Sequence, residues 1–318
     1  MTYLAHGATL ALAWFFAINA LACAAVAVAG RRLPRSAALL FSVRLLPAIS
    51  SLAFVIAIFV PSYWRFEPRD FVEGFDLTLT ACAFAAGLVL AAAIRRGASA
   101  WLRAVRRARE WTRTADRIDL AGDISAFRIE ARQPLMALVG IFRPRLIVTQ
   151  GLLDALTGEE IAVSAAHEIA HHQTRDNLKR LLMRGAPDLL HGTETARALE
   201  RQWAAAAEHD ADRSAASVRS RARRLALASA LVKIARLMPA GPAAPITEPI
   251  STLVGGGEIV SRVQRLIDDR LHDHVASRRA AAPWVAMTIA AAVALGAAYL
   301  PLLEAVHRAT ETLVHHLP

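Results

Sequence analysis

The sequence predicts a mainly α-helical membrane protein in which four transmembrane helices accompany one soluble domain of mixed α and β structure. Hydrophobic residues make up 55% of the 318 residues, an excess over ordinary soluble proteins that indicates membrane segments. Four separate stretches are apolar over a length that approaches or exceeds the thickness of a bilayer core. Between the third and the fourth, residues 97–280 form the only segment long enough to be a folded soluble domain.

The predicted spans are defined by uninterrupted apolar character, and the first three follow one another within residues 1–96. At about 1.5 Å per residue, the first span is long enough to cross a hydrocarbon core of about 30 Å. We interpret it as a retained span because no basic region precedes it, unlike in a signal peptide. The second span extends backwards across Arg44 if that side chain snorkels. The four spans cover about 8–30, 45–60, 77–94 and 281–303.

The distribution of arginine predicts the orientation of these spans, because positively charged loops remain on the cytoplasmic side. Loop 31–44 carries four arginines and no acid, whereas loop 61–76 mixes two arginines with four acids. Six more arginines lie within residues 95–109, just after the third span. We therefore expect a multi-pass protein of a bacterial-type inner membrane with the 97–280 domain in the cytoplasm. The N-terminus and the short tail 304–318 are expected outside.

The first half of the soluble segment is predicted to contain a basic helix followed by short strands. The helix is expected at about 98–118, near the membrane surface. Residues 127–130 alternate in polarity, residues 135–141 form an apolar run, and residues 144–148 follow a turn. These patterns indicate two or three short strands, and hence a small β-sheet.

The second half of the segment is predicted to be helical. Thr157 with Glu160 three residues later resembles a capping box, so a helix is expected to start there and continue to about Arg175. The later elements are helices at about 195–216 and 219–237, a loop rich in proline and glycine at 239–257, and an amphipathic helix at about 258–271.

The predicted helix after Thr157 carries the H-E-x-x-H motif, spelled His167-Glu168-Ile169-Ala170-His171. Two histidines four residues apart share one helical face, so both imidazoles can reach the same metal ion. Glu168 is offset on the helix and would lie beside a zinc-bound water, whose pKa falls towards about 7. The motif predicts a Zn²⁺ site with His167 and His171 as ligands and Glu168 as the catalytic base.

The third metal ligand is predicted to be Glu208, because a catalytic zinc ion needs three protein ligands and one open position. Asp212 lies four residues later on the same face and is predicted to accept a hydrogen bond from a liganding histidine. In the alternative interpretation, these acids pair only with Arg201 or Arg213.

The other histidines give weaker signals. His209 follows the predicted third ligand and is a candidate hydrogen-bond donor to a developing oxyanion. His172 points away from the motif face and is interpreted as a solvated or packing residue. The other histidines are interpreted as surface residues: His191, His307, His315 and His316.

Several other classes of function are disfavoured. The net charge of +10 favours an anionic lipid surface over nucleic acid, because the arginines lie beside apolar segments without interleaved aromatic residues. Cys23 and Cys82 both lie in apolar runs and form no disulfide framework or thiolate metal motif. A transporter is disfavoured because Arg44 and Asp76 lie only at the edges of the predicted spans.

The run Pro144–Glu160, the H-E-x-x-H helix and the motif Glu208-x-x-Ala211-Asp212 resemble the BlaR/MecR antirepressor peptidases and the related HtpX-type peptidases. The similarity covers mainly residues 140–215, and the arrangement of the spans also looks like BlaR/MecR. Those families are gluzincins, so the resemblance implies a gluzincin-type fold with zinc on His167, His171 and Glu208. It also implies that Glu168 acts as general base and acid.

The resemblance further implies regulated proteolysis, such as cleavage of a transcriptional repressor, with a repressor or sensor protein as partner. HtpX-like quality control of membrane proteins is the alternative. The β-lactam receptors of the family carry a large exported sensor after the last span, where this sequence has residues 304–318. We therefore expect any signal to enter through loop 61–76, the spans or a partner protein.

The expected reaction is hydrolysis of a protein or peptide substrate that lies as an extended strand against an edge strand at about 135–141. A non-catalytic, zinc-stabilised signalling scaffold is the rival from another class. The presence of Glu168 argues against it, since a purely structural metal site has no use for a base.

Overall fold

A computed structural model describes most of the chain, and the statements below concern only the residues it describes. They are 3–30, 36–69, 77–120, 124–216, 220–237, 251–252, 259–268 and 298–314.

Three helices near the N-terminus are long and apolar enough to cross a membrane. The first is α1 (Tyr3–Ala29). The second runs over Ala37–Phe66 and consists of α2 (Ala37–Phe54), a π-helical turn (Val55–Phe59) and α3 (Val60–Phe66). The third lies in α4 (Leu77–Arg113). These helices confirm three of the predicted spans, although the second begins eight residues before the predicted start.

The π-helical turn lies just before Pro61, which lacks a backbone N–H and cannot donate to the carbonyl of Ala57. The hydroxyl of Tyr299 donates to that carbonyl oxygen at 2.7 Å. Tyr299 belongs to a helix over residues 298–314, which packs against α1 and α3 through Leu302 and Val306. The predicted fourth span, 281–303, otherwise lies outside the described residues.

The basic segment after the third span continues α4 as one unbroken helix. With 37 residues, α4 is about 56 Å long, far more than a bilayer core of about 30 Å requires. The prediction of a separate surface helix at 98–118 is therefore wrong. Alanine and arginine are strong helix formers, and no proline interrupts the segment, so the helix continues until Arg113. Strand β1 (Asp116–Ile118) follows it.

The sheet of the soluble domain has five strands in the order β1-β2-β4-β3-β5. β2 and β4 are parallel, and the other pairs are antiparallel. The three predicted strands are confirmed as β2, β3 and β4. β5 lies inside the predicted loop 239–257, where the prediction of an unpaired loop is wrong for residues 251–252. The further strands are β2 (Ala126–Ile129), β3 (Met136–Val139), β4 (Arg145–Thr149) and β5 (Ser251–Thr252).

Six helices are described in the soluble domain, and all of them except α7 contribute to a core that includes Leu152, Val163 and Leu231. The helices predicted after residues 157, 195, 219 and 258 are confirmed within a few residues. The short helices α5 and α7 were not predicted. The six are α5 (Gln150–Ala155), α6 (Gly158–Gln173), α7 (Asp176–Gly185), α8 (Glu194–Ala216), α9 (Arg221–Leu237) and α10 (Ile259–Ile267).

The soluble domain docks onto the apolar helices through buried polar contacts. The guanidinium of Arg44, on α2, is fully buried and donates to Asp188 at 2.7 Å and to Glu200 at 2.9 Å. The amide nitrogen of Asn19, on α1, donates to the carbonyl of Pro187 at 2.9 Å. The second span does extend backwards across Arg44, whose side chain is paired with carboxylates of the soluble domain inside the protein.

Apolar contacts surround these polar ones. Cys23 and Val26 of α1 and Leu40 of α2 pack with Leu199 and Trp203 of α8 in one buried cluster. The interpretation of Cys23 as a packing residue agrees with this position. The first half of α2 and the second half of α1 are therefore shared between the apolar bundle and the soluble domain.

The start of α6 has the predicted capping box. The hydroxyl of Thr157 accepts from the backbone N–H of Glu160, whose carboxylate accepts from the backbone N–H of Thr157 at 2.8 Å. The same carboxylate accepts from Ser229 at 2.6 Å and from Lys233 at 2.8 Å, both on α9. Burial raises the pKa of Glu160, but the hydrogen bonds from Lys233 and Ser229 outweigh it, so the pKa lies below its ordinary value.

We expect Glu160→Gln to destabilise the protein by about 1–2 kcal/mol at pH 7, because it weakens the cap and leaves Lys233 without its anionic partner. The depressed pKa makes the contribution of Glu160 fully present above about pH 4.5 and lost as the pH falls through the lower folded-state value. Thermal unfolding in detergent, followed by circular dichroism across this pH range, measures both effects. Glu159→Gln, at an exposed position of the same helix turn, is the control. Equal unfolding of Glu160→Gln and wild type would contradict the assignment.

Candidate metal centre

The structure brings together the three side chains predicted as metal ligands. His167 and His171 lie on α6, and Glu208 lies on α8, which packs against α6. The Nε2 atoms of the two histidines are 3.2 Å apart. Carboxylate oxygens of Glu208 lie 3.4 Å from Nε2 of His167 and 3.5 Å from Nε2 of His171. All three side chains are buried.

Two further carboxylates contact the opposite ring nitrogens. Nδ1 of His171 lies 2.7 Å from Oδ2 of Asp176. Nδ1 of His167 lies 3.0 Å from Oδ1 of Asp212, in a short contact bent away from the ideal hydrogen-bond direction. A carboxylate at Nδ1 favours a proton on that nitrogen, so the lone pairs of both Nε2 atoms point towards Glu208.

Sequence reasoning found Asp212 but missed Asp176. Asp176 follows the end of α6 by three residues, and it reaches His171 because the chain reverses sharply at Arg175. Arg175 adopts a left-handed conformation with φ 55°, and its N–H donates to the carbonyl of His172 at 2.9 Å. The available signal was an acidic residue immediately beyond the helix that carries the histidines.

Arg262 is the second residue that sequence reasoning missed. It lies on α10, is almost fully buried, and donates to both carboxylate oxygens of Asp212 at 2.6 and 2.9 Å. Its Nη1 atom lies 3.0 Å from Oε2 of Glu208. Ile259, Arg262 and Leu266 share one face of the amphipathic helix. The sequence signal that could have identified Arg262 was an arginine on the apolar face of an amphipathic helix.

These contacts decide the alternative interpretation of the acids on α8. Glu208 and Asp212 both contact Arg262, whereas Arg201 forms an ion pair with Glu194. Arg201, which is paired with Glu194, therefore does not account for the positions of Glu208 and Asp212.

Four buried carboxylates lie at the two histidines or next to them in the sequence, namely Glu168, Asp176, Glu208 and Asp212, and the buried Arg262 contacts two of them, Glu208 and Asp212. Burial raises the pKa of Glu208, but its interactions with the imidazoles of His167 and His171 outweigh burial and hold the pKa well below its usual range. Burial lowers the pKa of His171, yet Asp176 and then Glu208 raise it to about 9. The cluster therefore favours a positive charge between the imidazole rings.

Glu168 differs from the other acids of the site. It is fully buried, and neither of its carboxylate oxygens has a hydrogen-bond partner among the described residues. Burial is the main cause that raises its pKa. A buried carboxylate without partners is costly, so its retention here indicates that the group serves a purpose other than stability.

The donor atoms fit a zinc ion. Ligands about 2.0–2.1 Å from a tetrahedral centre lie about 3.4 Å from one another, and the three separations here are 3.2, 3.4 and 3.5 Å. Two imidazoles and one carboxylate form a donor set typical of catalytic zinc sites. His167, His171 and Glu208 are thus able to hold the ion without further movement of the backbone.

The remaining predicted site residue, His209, is half-buried on α8. Burial, followed by the positive charge of Arg265, lowers the pKa of its imidazole. His209 is not part of the group of converging ligand-type atoms. Its role as an oxyanion donor stays a prediction.

Comparison with known proteins gives one match. A family model described as Peptidase family M48 matches residues 101–290, which include both histidines of the motif, Glu208 and Arg262. No curated protein sequence matches the chain.

We expect Asp176→Asn to weaken zinc binding by about 10–100-fold, because the neutral amide no longer stabilises the orientation and basicity of His171. Competition between the purified full-length protein and a zinc-binding dye measures the affinity. Asp210→Asn, at an exposed position of α8, is expected to bind zinc as the wild type does. Wild-type affinity in Asp176→Asn would show that this contact does not support the metal site.

Proposed function

Because this chain belongs to peptidase family M48, a family of metallopeptidases, we propose that it is an integral membrane zinc endopeptidase acting in regulated proteolysis. Its substrate would be a cytoplasmic or membrane-proximal protein. One observation carries the proposal: two imidazole nitrogens and a carboxylate face one another within 3.5 Å, next to a buried carboxylate that has no hydrogen-bond partner among the described residues.

In this proposal His167, His171 and Glu208 hold the zinc ion. When bound, zinc supplies Lewis acidity that polarises the scissile carbonyl group and lowers the pKa of a water molecule. Asp176 and Asp212 keep the two imidazoles oriented through their Nδ1 atoms.

Glu168 is proposed as the general base and acid of the reaction. Its raised pKa makes the carboxylate a better proton acceptor than an exposed glutamate. It would remove the proton of the attacking water and return a proton to the leaving amine. A non-catalytic scaffold would not need such a carboxylate, which favours the enzymatic function over that rival.

Arg262 is proposed as a positioning residue. It contacts Glu208 and Asp212 together, so it sets the relative position of a metal ligand and of the carboxylate that orients His167. Its positive charge also offsets part of the buried negative charge that would otherwise destabilise this part of the domain.

The expected docking of substrate on strand β3 is wrong, because β3 is not a free edge. Residues 137 and 138 pair with β5. The side-chain amide of Asn177 donates to the carbonyls of Leu138 at 3.0 Å and Gly140 at 3.2 Å. An extended substrate would therefore have to displace β5 or lie along its outer edge.

The contacts between the soluble domain and the apolar helices support a membrane-proximal substrate. α8 carries both Glu200, which bonds Arg44 of α2, and the proposed ligand Glu208. Eight residues of helix separate them, about 12 Å. The distribution of arginine supports a cytoplasmic position for the domain at a bacterial-type inner membrane, with both termini outside.

We expect Glu168→Gln to retain zinc in the peptidase site but to lose activity by about 10²–10⁴-fold, the usual contribution of a general acid–base group. New protein N-termini are compared in cells that produce the wild type, Glu168→Gln or the exposed control Glu159→Gln. N-termini present with the wild type and the control, and missing with Glu168→Gln, identify substrates. A cleaved transcriptional repressor supports the signalling role, and cleaved membrane proteins indicate quality control instead. The same N-termini in all three cells would refute the role of Glu168.

A further inference from the structure

A second cluster of ligand-type side chains lies at the end of the apolar helices away from the soluble domain. It consists of Glu67, directly after α3, and of His307 and Glu311 on helix 298–314. One ligand atom from each of the three lies within 4.8 Å of the others. His6, on α1, approaches the same carboxylate.

The carboxylate of Glu67 is the centre of this cluster. Its side chain is only 2% exposed, and it lies between the imidazoles of His6 and His307. The Nδ1 atoms are 3.9 and 3.7 Å from its two oxygens. These distances are too long for hydrogen bonds, and the 3.7 Å between His307 and Glu67 is a few tenths of an ångström more than the roughly 3.4 Å that separates two ligands of one tetrahedral ion.

His307 and Glu311 are four residues apart on one helix, a spacing that suits two ligands of the same metal ion. Residues four apart share one helical face, so the imidazole and the carboxylate can reach the same ion. His307 is half-buried and stacks on the ring of Phe66, with centroids 5.6 Å apart. The sequence-based interpretation of His307 as a surface residue is therefore wrong, because the helix that carries it packs against α3.

Direct contacts hold the ligand-bearing helix in register with α1 and α3. The hydroxyl of Ser62 donates to the carbonyl of Leu303 at 2.6 Å. The indole of Trp14 donates to the hydroxyl of Thr310 at 3.1 Å. The positions of His307 and Glu311 opposite Glu67 are thus set by packing.

We propose that Glu67, His307 and Glu311 bind a second divalent transition-metal ion. Mixed imidazole and carboxylate donors suit zinc better than calcium or magnesium, which prefer oxygen ligands alone. The ion clamps helix 298–314 to the end of α3. The partly exposed positions of His307 and Glu311 leave it a route from solvent.

This site is separate from the proposed peptidase site. Asn19 of α1 contacts the soluble domain, and His6 lies thirteen residues before it on the same helix, about 20 Å away. Substitutions at one site are therefore expected to leave metal binding at the other site unchanged.

The test counts zinc ions on full-length protein purified in detergent, stripped of metal and dialysed against Zn²⁺. Wild type is expected to hold two ions per chain. The double variant Glu67→Gln/His307→Ala is expected to keep only the ion of the peptidase site. The double variant His167→Ala/His171→Ala is expected to keep only the ion of the second site. Glu304→Gln, at an exposed position of helix 298–314, is the matched control and is expected to hold two.

A single variant, Glu311→Gln, covers the case in which the buried double variant does not fold. Its side chain is half-exposed, and its loss is expected to weaken the second ion by more than about tenfold while the first binds normally. One ion on the wild type overturns the proposal, as do two ions on Glu67→Gln/His307→Ala. Unchanged affinity in Glu311→Gln overturns it as well.

Discussion

The soluble domain depends on one electrostatic constraint, which is that three electron-rich atoms face one another in a buried space. The Nε2 atoms of His167 and His171 and the carboxylate of Glu208 lie within 3.5 Å of each other. Such a cluster is stable only with a positive charge between the groups and with hydrogen bonds on their outer atoms. Asp176 at the start of α7 and Arg262 on α10 provide these outer contacts. The position of each surrounding helix therefore follows from the same centre.

A continuous series of contacts connects the apolar helices to this centre. Arg44 of α2 is fully buried and bonds both Asp188 and Glu200 of the soluble domain. α8 then continues from Glu200 to Glu208 without interruption. The contact between Arg44 and Glu200 therefore joins α2 to the helix that carries Glu208. The spans and the peptidase domain form one connected structure through these contacts.

The sequence by itself determined those features whose causes lie within a few residues of one another. The length of the apolar runs predicted four membrane spans, three of which correspond to described helices that are long and apolar enough to cross a membrane. The pair Thr157 and Glu160 predicted the start of α6. The spacing of the two histidines, and of Glu208 and Asp212, predicted which side chains share a helical face. Alternation and short apolar runs predicted β2, β3 and β4. Helical and strand periodicity are local properties, so the sequence alone is sufficient to reveal them.

Only the tertiary structure decided which of these elements meet. Asp176 and Arg262 contact the centre because a sharp turn and the packing of α10 bring them there. Strand β5 covers β3 from more than a hundred residues away. Arg44 is buried and His307 is only partly exposed, because residues distant in the sequence pack around them. No local pattern encodes such contacts, since they depend on the packing of whole helices and strands.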